Sequence, residues 1–337
     1  MQGVDAVAEI LKREGVEFLA CFPATPLIEA CAEIGIRPIV CRQERVGMAI
    51  ADGFSRTTNG KRLGVFAMQH GPGAENAFPG AAQAFSDNVP ILLLPRGEPT
   101  DRAFVSPNFS AVDNYRYVTK WLAQVNQVER IPELMRRAFY HLRTGKFGPV
   151  LLEVPRNIWE EEFEGDLKYT PVRGNRTAPD PAEVIEVALR LLGAKSPVIH
   201  AGQGCLYAEA WDELQEIAEL LQAPVMTTLP GKSAFPEGHP LSLGAATRAS
   251  SKGVWHFFEK ADLVFAIGCS LTITRYGKAI PAGKVMVHST NDPADVNKDY
   301  PADYALIGDA KLVLQGLIAE IKKQTNGSGR QHDRRGT

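Results

Sequence analysis

The sequence predicts an α/β protein of two doubly wound domains, each a mainly parallel sheet flanked by helices. Three observations carry this prediction. Apolar runs of strand length recur along the chain, helical patterns separate several of them, and one proline-rich stretch without periodicity interrupts the alternation near the middle. The chain's 337 residues also exceed the usual size of a single hydrophobic core.

Val4, Val7, Ala8, Ile10 and Leu11 recur at helical spacing, and Gly15 then precedes the apolar run 18–21. That run reads as a buried strand. Further runs at 38–41, 63–68, 90–94 and 149–154 continue the pattern, and their lack of strict polar alternation is the mark of parallel strands covered on both faces. These elements make a first domain over residues 1–170. Residues 171–180, inside the stretch TPVRGNRTAPDP, form the expected linker. A second domain over 181–325 opens with a helix at 181–192 and continues with strands at 197–200, 224–227, 263–267 and 284–288. A helix at 310–322 closes this Rossmann-like unit. The segment 326–337 has glycine, serine and charge but no apolar face, and is expected to be a disordered tail.

Composition narrows the function. With 45% hydrophobic and 23% charged residues and a net charge of −2, the chain has no basic excess to attract nucleic acid or anionic lipid. No apolar run reaches membrane-spanning length, and the amino terminus enters a patterned helix carrying Glu9, Lys12 and Arg13 rather than a signal peptide. A cytoplasmic protein acting on a small molecule is the expectation. The five cysteines, Cys21, Cys31, Cys41, Cys205 and Cys269, lack the pairing of a disulfide framework or a zinc site and read as reduced, mostly buried thiols.

Two segments stand out for chemistry. In RQERVGMAIADGFSR (42–56) a strand end leads into a helix rich in small residues, with Glu44 at its entrance. An acid there complements the helix macrodipole whatever else it does. In MQHGPGAENA (68–77) a second strand ends in a glycine-bearing turn, at the sheet edge where open α/β folds bind ligands. Both loops converge on that edge.

RQERVGMAIADGFSR resembles the RHE…AA…A.GYAR helix of the acetolactate synthase-like thiamine-diphosphate family, and HGPGAENA resembles its SGPGATN turn. CFPATPLIEA, AFSDNVPILLLPRGEP and NYRYVTKW are similar to further stretches of its pyrimidine-binding domain. PVIHAGQG, TTLPGKSAFPEGHPLSLG, ADLVFAIGCS and NDPADVNKDYPADYALIGDA are similar to its central domain. The matches follow the family's order over residues 1–325.

The resemblance implies that Glu44 is the glutamate bonded to the pyrimidine ring nitrogen of thiamine diphosphate. It places Gln69 and His70 toward the reacting carbon, with His70 the more apt proton carrier. Pro23, Ala24 and Thr25 would border the pyrimidine, and Gly71 and Gly73 would shape the turn. Asn76 would orient the turn, cap a helix or touch the cofactor. Arg96 and Glu98, with Arg102, are candidates to reach substrate. Where acetolactate synthases carry Gly-Gln after the fourth strand this chain has Gly97-Glu98, which leaves the donor and acceptor open.

Complete members of the family hold Mg2+ and the diphosphate on a third domain, through a GDG…N stretch. Only Gly308-Asp309-Ala310 is similar here, with no asparagine ligand at suitable spacing after it, so no metal is expected on this chain. The implied protein is one subunit of a split 2-oxo acid decarboxylase or carboligase, a lyase or transferase, unless the chain is a fragment of a longer enzyme of that kind. A separate diphosphate-domain subunit would hold Mg2+, and pyrimidine domains would meet in homodimeric or higher contacts. FAD is not expected: Gly202, Gly204 and Arg248 are the only candidates, and the family's MHG turn is replaced by 244–248. Two alternatives stay open, a non-catalytic scaffold or binding module that keeps the fold, and an FAD-binding relative.

Overall fold

A computed structural model describes residues 1–330 apart from 24, 104, 251, 276 and 278. The chain divides into two compact units, Met1–Asn175 and Arg176–Thr337. Each is built on a six-stranded, all-parallel sheet between helices.

In the first unit the strands are β1 (Phe18–Cys21), β2 (Arg37–Val40), β3 (Gly64–Met68), β4 (Ile91–Gly97), β5 (Trp121–Gln124) and β6 (Val150–Pro155). They lie in the order β2-β1-β3-β4-β6-β5. The helices are α1 (Gly3–Arg13), α2 (Leu27–Glu33), α3 (Glu44–Thr57), α4 (Pro72–Ser86), α5 (Ala111–Asn114), α6 (Ile131–Arg143) and α7 (Arg156–Glu160). Strand side chains alternate between two cores, as the pleat requires. Val65, Ala67, Leu92 and Leu94 pack with α1, α2 and α6, whereas Phe66, Met68, Ile91 and Leu93 pack with residues of α3 and α4. Apolar residues on both faces explain why these strands read as continuous apolar runs.

The strand order reverses direction between β1 and β3. Chain leaving β1 turns to one side to make β2, then crosses back to make β3, so the loops after β1 and β3 diverge and leave a crevice at the carboxyl ends. Around that edge lie the described site residues expected from the first domain.

The second unit has β7 (Pro197–Ala201), β8 (Val225–Thr227), β9 (Ser242–Ala245), β10 (Leu263–Ile267), β11 (Val285–Thr290) and β12 (Tyr304–Ile307), in the order β12-β11-β10-β7-β8-β9. Its helices are α8 (Pro181–Gly193), α9 (Gln203–Tyr207), α10 (Trp211–Leu221), α11 (Lys252–Lys260) and α12 (Ala310–Gln324). Asp180 caps α8 by accepting from Ala182 N at 2.8 Å, and Asp309 caps α12 by accepting from Lys311 N at 3.1 Å. Asp309, in the only stretch resembling a magnesium motif, is thus a helix cap.

Strands β5, β9 and β12 were absent from the sequence expectation. All three are edge strands, and most of their residues are only half-buried. The stretch 171–180 contains no helix or strand. Its first part is tied to the first unit, since Glu14 Oε1 accepts from Val172 N at 3.0 Å and Arg143 Nη1 donates to Val172 O at 2.7 Å. Within the expected tail, 331–337 lie outside the described residues, while Arg330 N donates to Leu220 O at 2.7 Å. No helix among the described residues is long and apolar enough to cross a membrane.

Candidate functional site

Glu44 is the first residue of α3, following Gln43 in an extended conformation, and it is 5% exposed. Two features seat its helix deep on the sheet: a Cβ on Gly47 would lie 2.2 Å from the Phe66 ring, and one on Gly64 would lie 2.1 Å from Ala51 O. Only glycines permit that approach. The carboxylate is therefore buried at the amino end of α3, a favourable place for negative charge.

One carboxylate oxygen has a protein partner. Asn76 Nδ2 donates to Glu44 Oε2 at 2.6 Å, and Asn76 Oδ1 accepts from Arg45 Nε at 3.0 Å. Such a bond to an ionised acceptor is short and strong. The other oxygen, Oε1, lies beside Gly73: a Cβ there would stand 3.1 Å from it and 2.8 Å from Gln69 Cβ. The missing side chain leaves room at Oε1.

The turn after β3 is built for this purpose. Gly71 has φ of +53°, a left-handed value that favours glycine, and Pro72 at the first helical position is already set for α4. Asn76 lies in the body of α4, so Gly71 and not Asn76 is the cap. Tyr115, fully buried, donates its hydroxyl to Ala74 O at 2.5 Å and meets Phe78 edge-on at 5.2 Å. Burial pushes the Tyr115 phenol well above its ordinary range, which keeps it a donor and pins the start of α4.

His70 stands at the mouth. Its Nε2 lies 3.4 Å from Glu98 Oε1, which joins the loop after β3 to the loop after β4. Both side chains are about a third exposed, His70 at 41% and Glu98 at 30%. Arg96 is half-buried within β4 in register with Val154, and Arg102 ends an exposed 3-10 turn. Pro23 is exposed, whereas Thr25 is buried with its Oγ1 accepting from Leu27 N at 3.3 Å, so its hydroxyl helps start α2. Ala24 lies outside the described residues.

Thus Glu44, Gln69, Gly73 and Asn76 come together, with His70 and Glu98 paired at the rim. Sequence reasoning gave no role to Arg45, which sits inside the quoted motif, because a charge on a helix surface carries no sign of its partner. It also missed Glu153, 4% exposed at the end of β6, which accepts from Gln124 Nε2 at 2.5 Å. Burial raises the Glu153 pKa, with the Gln124 bond opposing. Cys21 and Cys41 lie at neighbouring strand ends with both thiols directed at Ile39 O, at 3.7 and 3.5 Å. Burial pushes Cys21 up to about 11, so it remains a thiol.

In the second unit, Gly202 and Gly204 have structural work. A Cβ on Gly202 would lie 2.3 Å from Gly268 O, and one on Gly204 would lie 2.7 Å from Gly268 Cα. The loop after β10 occupies the space beside them. Gly204 N also donates to Gly268 O at 2.8 Å.

Comparison with known proteins gives this architecture a family. Residues 1–121 match the model of the thiamine pyrophosphate enzyme N-terminal TPP binding domain, and residues 184–317 match the thiamine pyrophosphate enzyme central domain. The chain belongs to the thiamine pyrophosphate enzymes, and within them to the acetolactate synthase-like group. It is 32% identical over 336 residues to a protein of Methanocaldococcus jannaschii named as a probable acetolactate synthase large subunit, covering 95% of this chain and 56% of that one. It is 30% identical to the acetolactate synthase large subunit of Buchnera aphidicola, covering 96% of this chain and 59% of that one. A structure from Mycobacterium smegmatis described as a thiamin diphosphate-dependent enzyme superposes with a TM-score of 0.83 at 25% identity, over 95% of this chain and 63% of that one. This chain therefore spans less than two thirds of the length of each of these relatives.

Proposed function

We propose that this chain supplies the pyrimidine-binding half of a thiamine-diphosphate site in a 2-oxo acid decarboxylase or carboligase, with Glu44 as the activating glutamate. The observation that carries the reading is the state of the Glu44 carboxylate. It is buried, one oxygen is held by Asn76, and the other faces the space left by Gly73. A carboxylate so placed suits an aminopyrimidine, whose ring nitrogen needs one acceptor or proton donor at hydrogen-bond distance.

When bound, thiamine diphosphate supplies a nucleophilic carbon that adds to a 2-oxo carbonyl and accepts the electron pair released with carbon dioxide. Glu44 holds or gives the proton at the pyrimidine ring nitrogen. Gly71 and Gly73 let the turn after β3 approach closely, and Thr25 and Pro23 border the same edge. Gln69 and His70 face the substrate side, and His70, paired with Glu98, moves a proton there.

The diphosphate end needs a cation, and the one stretch similar to the family's magnesium motif spends Asp309 as the cap of α12. We place the magnesium and diphosphate ligands on a separate partner subunit, with pyrimidine domains meeting in a homodimer or larger assembly in the cytoplasm. The packing around Gly202 and Gly204 supports a structural central domain without FAD.

The test is co-expression with a diphosphate-domain chain, in thiamine diphosphate and Mg2+, with pyruvate consumption as the readout. Glu44→Gln should lower turnover about 10²–10⁴-fold. Turnover by Glu44→Gln equal to the unaltered protein would reject the reading.

A further inference from the structure

We propose that Arg45 is a positioning residue for the Glu44 carboxylate, acting through the side-chain amide of Asn76; this rests on the thiamine-diphosphate reading of the site. A primary amide has unlike ends, a carbonyl that only accepts and an amino group that only donates. Here the carbonyl receives Arg45 Nε at 3.0 Å and the amino group gives to Glu44 Oε2 at 2.6 Å. Rotating the amide by half a turn would set its oxygen against a carboxylate and its N–H groups against a guanidinium. One orientation is therefore selected from both sides.

Arg45 follows Glu44 directly, and adjacent residues on a helix point in directions about 100° apart. The relay returns through the neighbouring helix: Asn76 on α4 spans from the exposed Arg45 to the buried Glu44. The cation draws charge toward the amide oxygen and makes the amino group a stronger donor, since hydrogen bonds in series polarise one another. With Oε2 so occupied, rotation of the carboxylate is restrained and Oε1 stays beside Gly73. Arg45 thereby sets which oxygen, and in what direction, is presented to the pyrimidine.

The test uses the full chain with 15N-labelled asparagine, the Asn76 side-chain signal being assigned by its loss in Asn76→Ala. Its N–H groups should exchange slowly with solvent, and Arg45→Ala should speed that exchange at least about tenfold, with Arg45→Lys recovering part of the protection. In a second arm the probe is thiamine, which carries the aminopyrimidine without phosphate. Arg45→Ala and Asn76→Ala should each weaken its binding about fivefold, the double variant should be no weaker than Asn76→Ala alone, and the melting temperature of Arg45→Ala should be unchanged. Unaltered Asn76 exchange in Arg45→Ala, or losses that multiply in the double variant, would overturn the relay. A protected Asn76 amide in a protein that does not bind thiamine, or binds it equally as Glu44→Gln, would instead reject the cofactor reading, and the positioning role would go with it.

Discussion

A Cβ on Gly73 would stand 3.1 Å from Glu44 Oε1, so the glycine in the turn after β3 and the acid at the start of α3 share one small volume. The same Cβ would meet Gln69 Cβ at 2.8 Å. Gly73→Ala should therefore push the carboxylate or the Gln69 loop aside while leaving α4 intact, because alanine is a better helix former than glycine. Thiamine binding should fall about tenfold at nearly constant stability, measured by titration calorimetry beside a thermal melt. Unchanged affinity would mean that Oε1 does not face the ligand.

Gly47 tests how the sheet sets the height of α3. A methyl group there would enter the ring of fully buried Phe66 at 2.2 Å, and an enclosed ring has little room to yield. Gly47→Ala should cost about 1–3 kcal/mol in urea unfolding of the first unit, as overpacking does. Because Glu44 lies on the same helix one turn away, thiamine affinity should fall as well.

Legibility followed burial only in part. The central strands β1, β3, β4 and β6 announce themselves by buried apolar residues, whereas the missed β5, β9 and β12 are mostly half-buried edges. Edge strand β2 is no more buried, yet it reads from the sequence because residues 38–41 form an apolar run. Glu44 could be singled out because a helix entrance and a family motif coincide on it. Arg45 could not, since its partner Asn76 lies 31 residues away and nothing local records the pairing. Thr25 was legible as a residue at the right edge, but its bond to Leu27 N depends on how α2 starts, which no periodicity reveals.

His200, in β7, gives an acid-sensitive term. Burial lowers its pKa to about 4, whereas in the unfolded chain it titrates near the ordinary value of about 6.5. Above that ordinary value both states are neutral and the residue costs nothing. As pH falls from about 6.5 toward 4 the unfolded chain gains a proton that the folded one refuses, so stability is lost across this window, by at most about 3 kcal/mol. His288, in β11, is also lowered by burial and adds in the same direction. Urea midpoints measured through the window should fall, and fall less in His200→Gln; a pH-independent difference between the two proteins would refute the assignment.

The buried Glu14 side chain joins α1 to the chain leaving the first unit. It accepts from the Arg143 guanidinium, from the Tyr169 hydroxyl and, at 3.0 Å, from Val172 N. Arg143 in turn donates to Val172 O at 2.7 Å, so one carboxylate and one guanidinium strap residues 169–172 against the unit. Burial and the Glu14 bond raise the Tyr169 phenol above its ordinary range, so it remains a donor. Removing one member of a buried pair leaves the other uncompensated, and Glu14→Ala should cost about 3 kcal/mol, with Arg143 able to recover some hydration through its partial exposure. Glu14→Gln, which keeps an acceptor but loses the charge, should cost less. The more specific consequence is local: exposed Arg173 sits just past the strap, and tryptic cleavage there should accelerate in Glu14→Ala under native conditions, before global unfolding. Cleavage at Arg173 as slow as in the unaltered protein would mean that the segment is held by its apolar contacts, Leu167 and Tyr169 in the core, and that the carboxylate contributes little to fixing it.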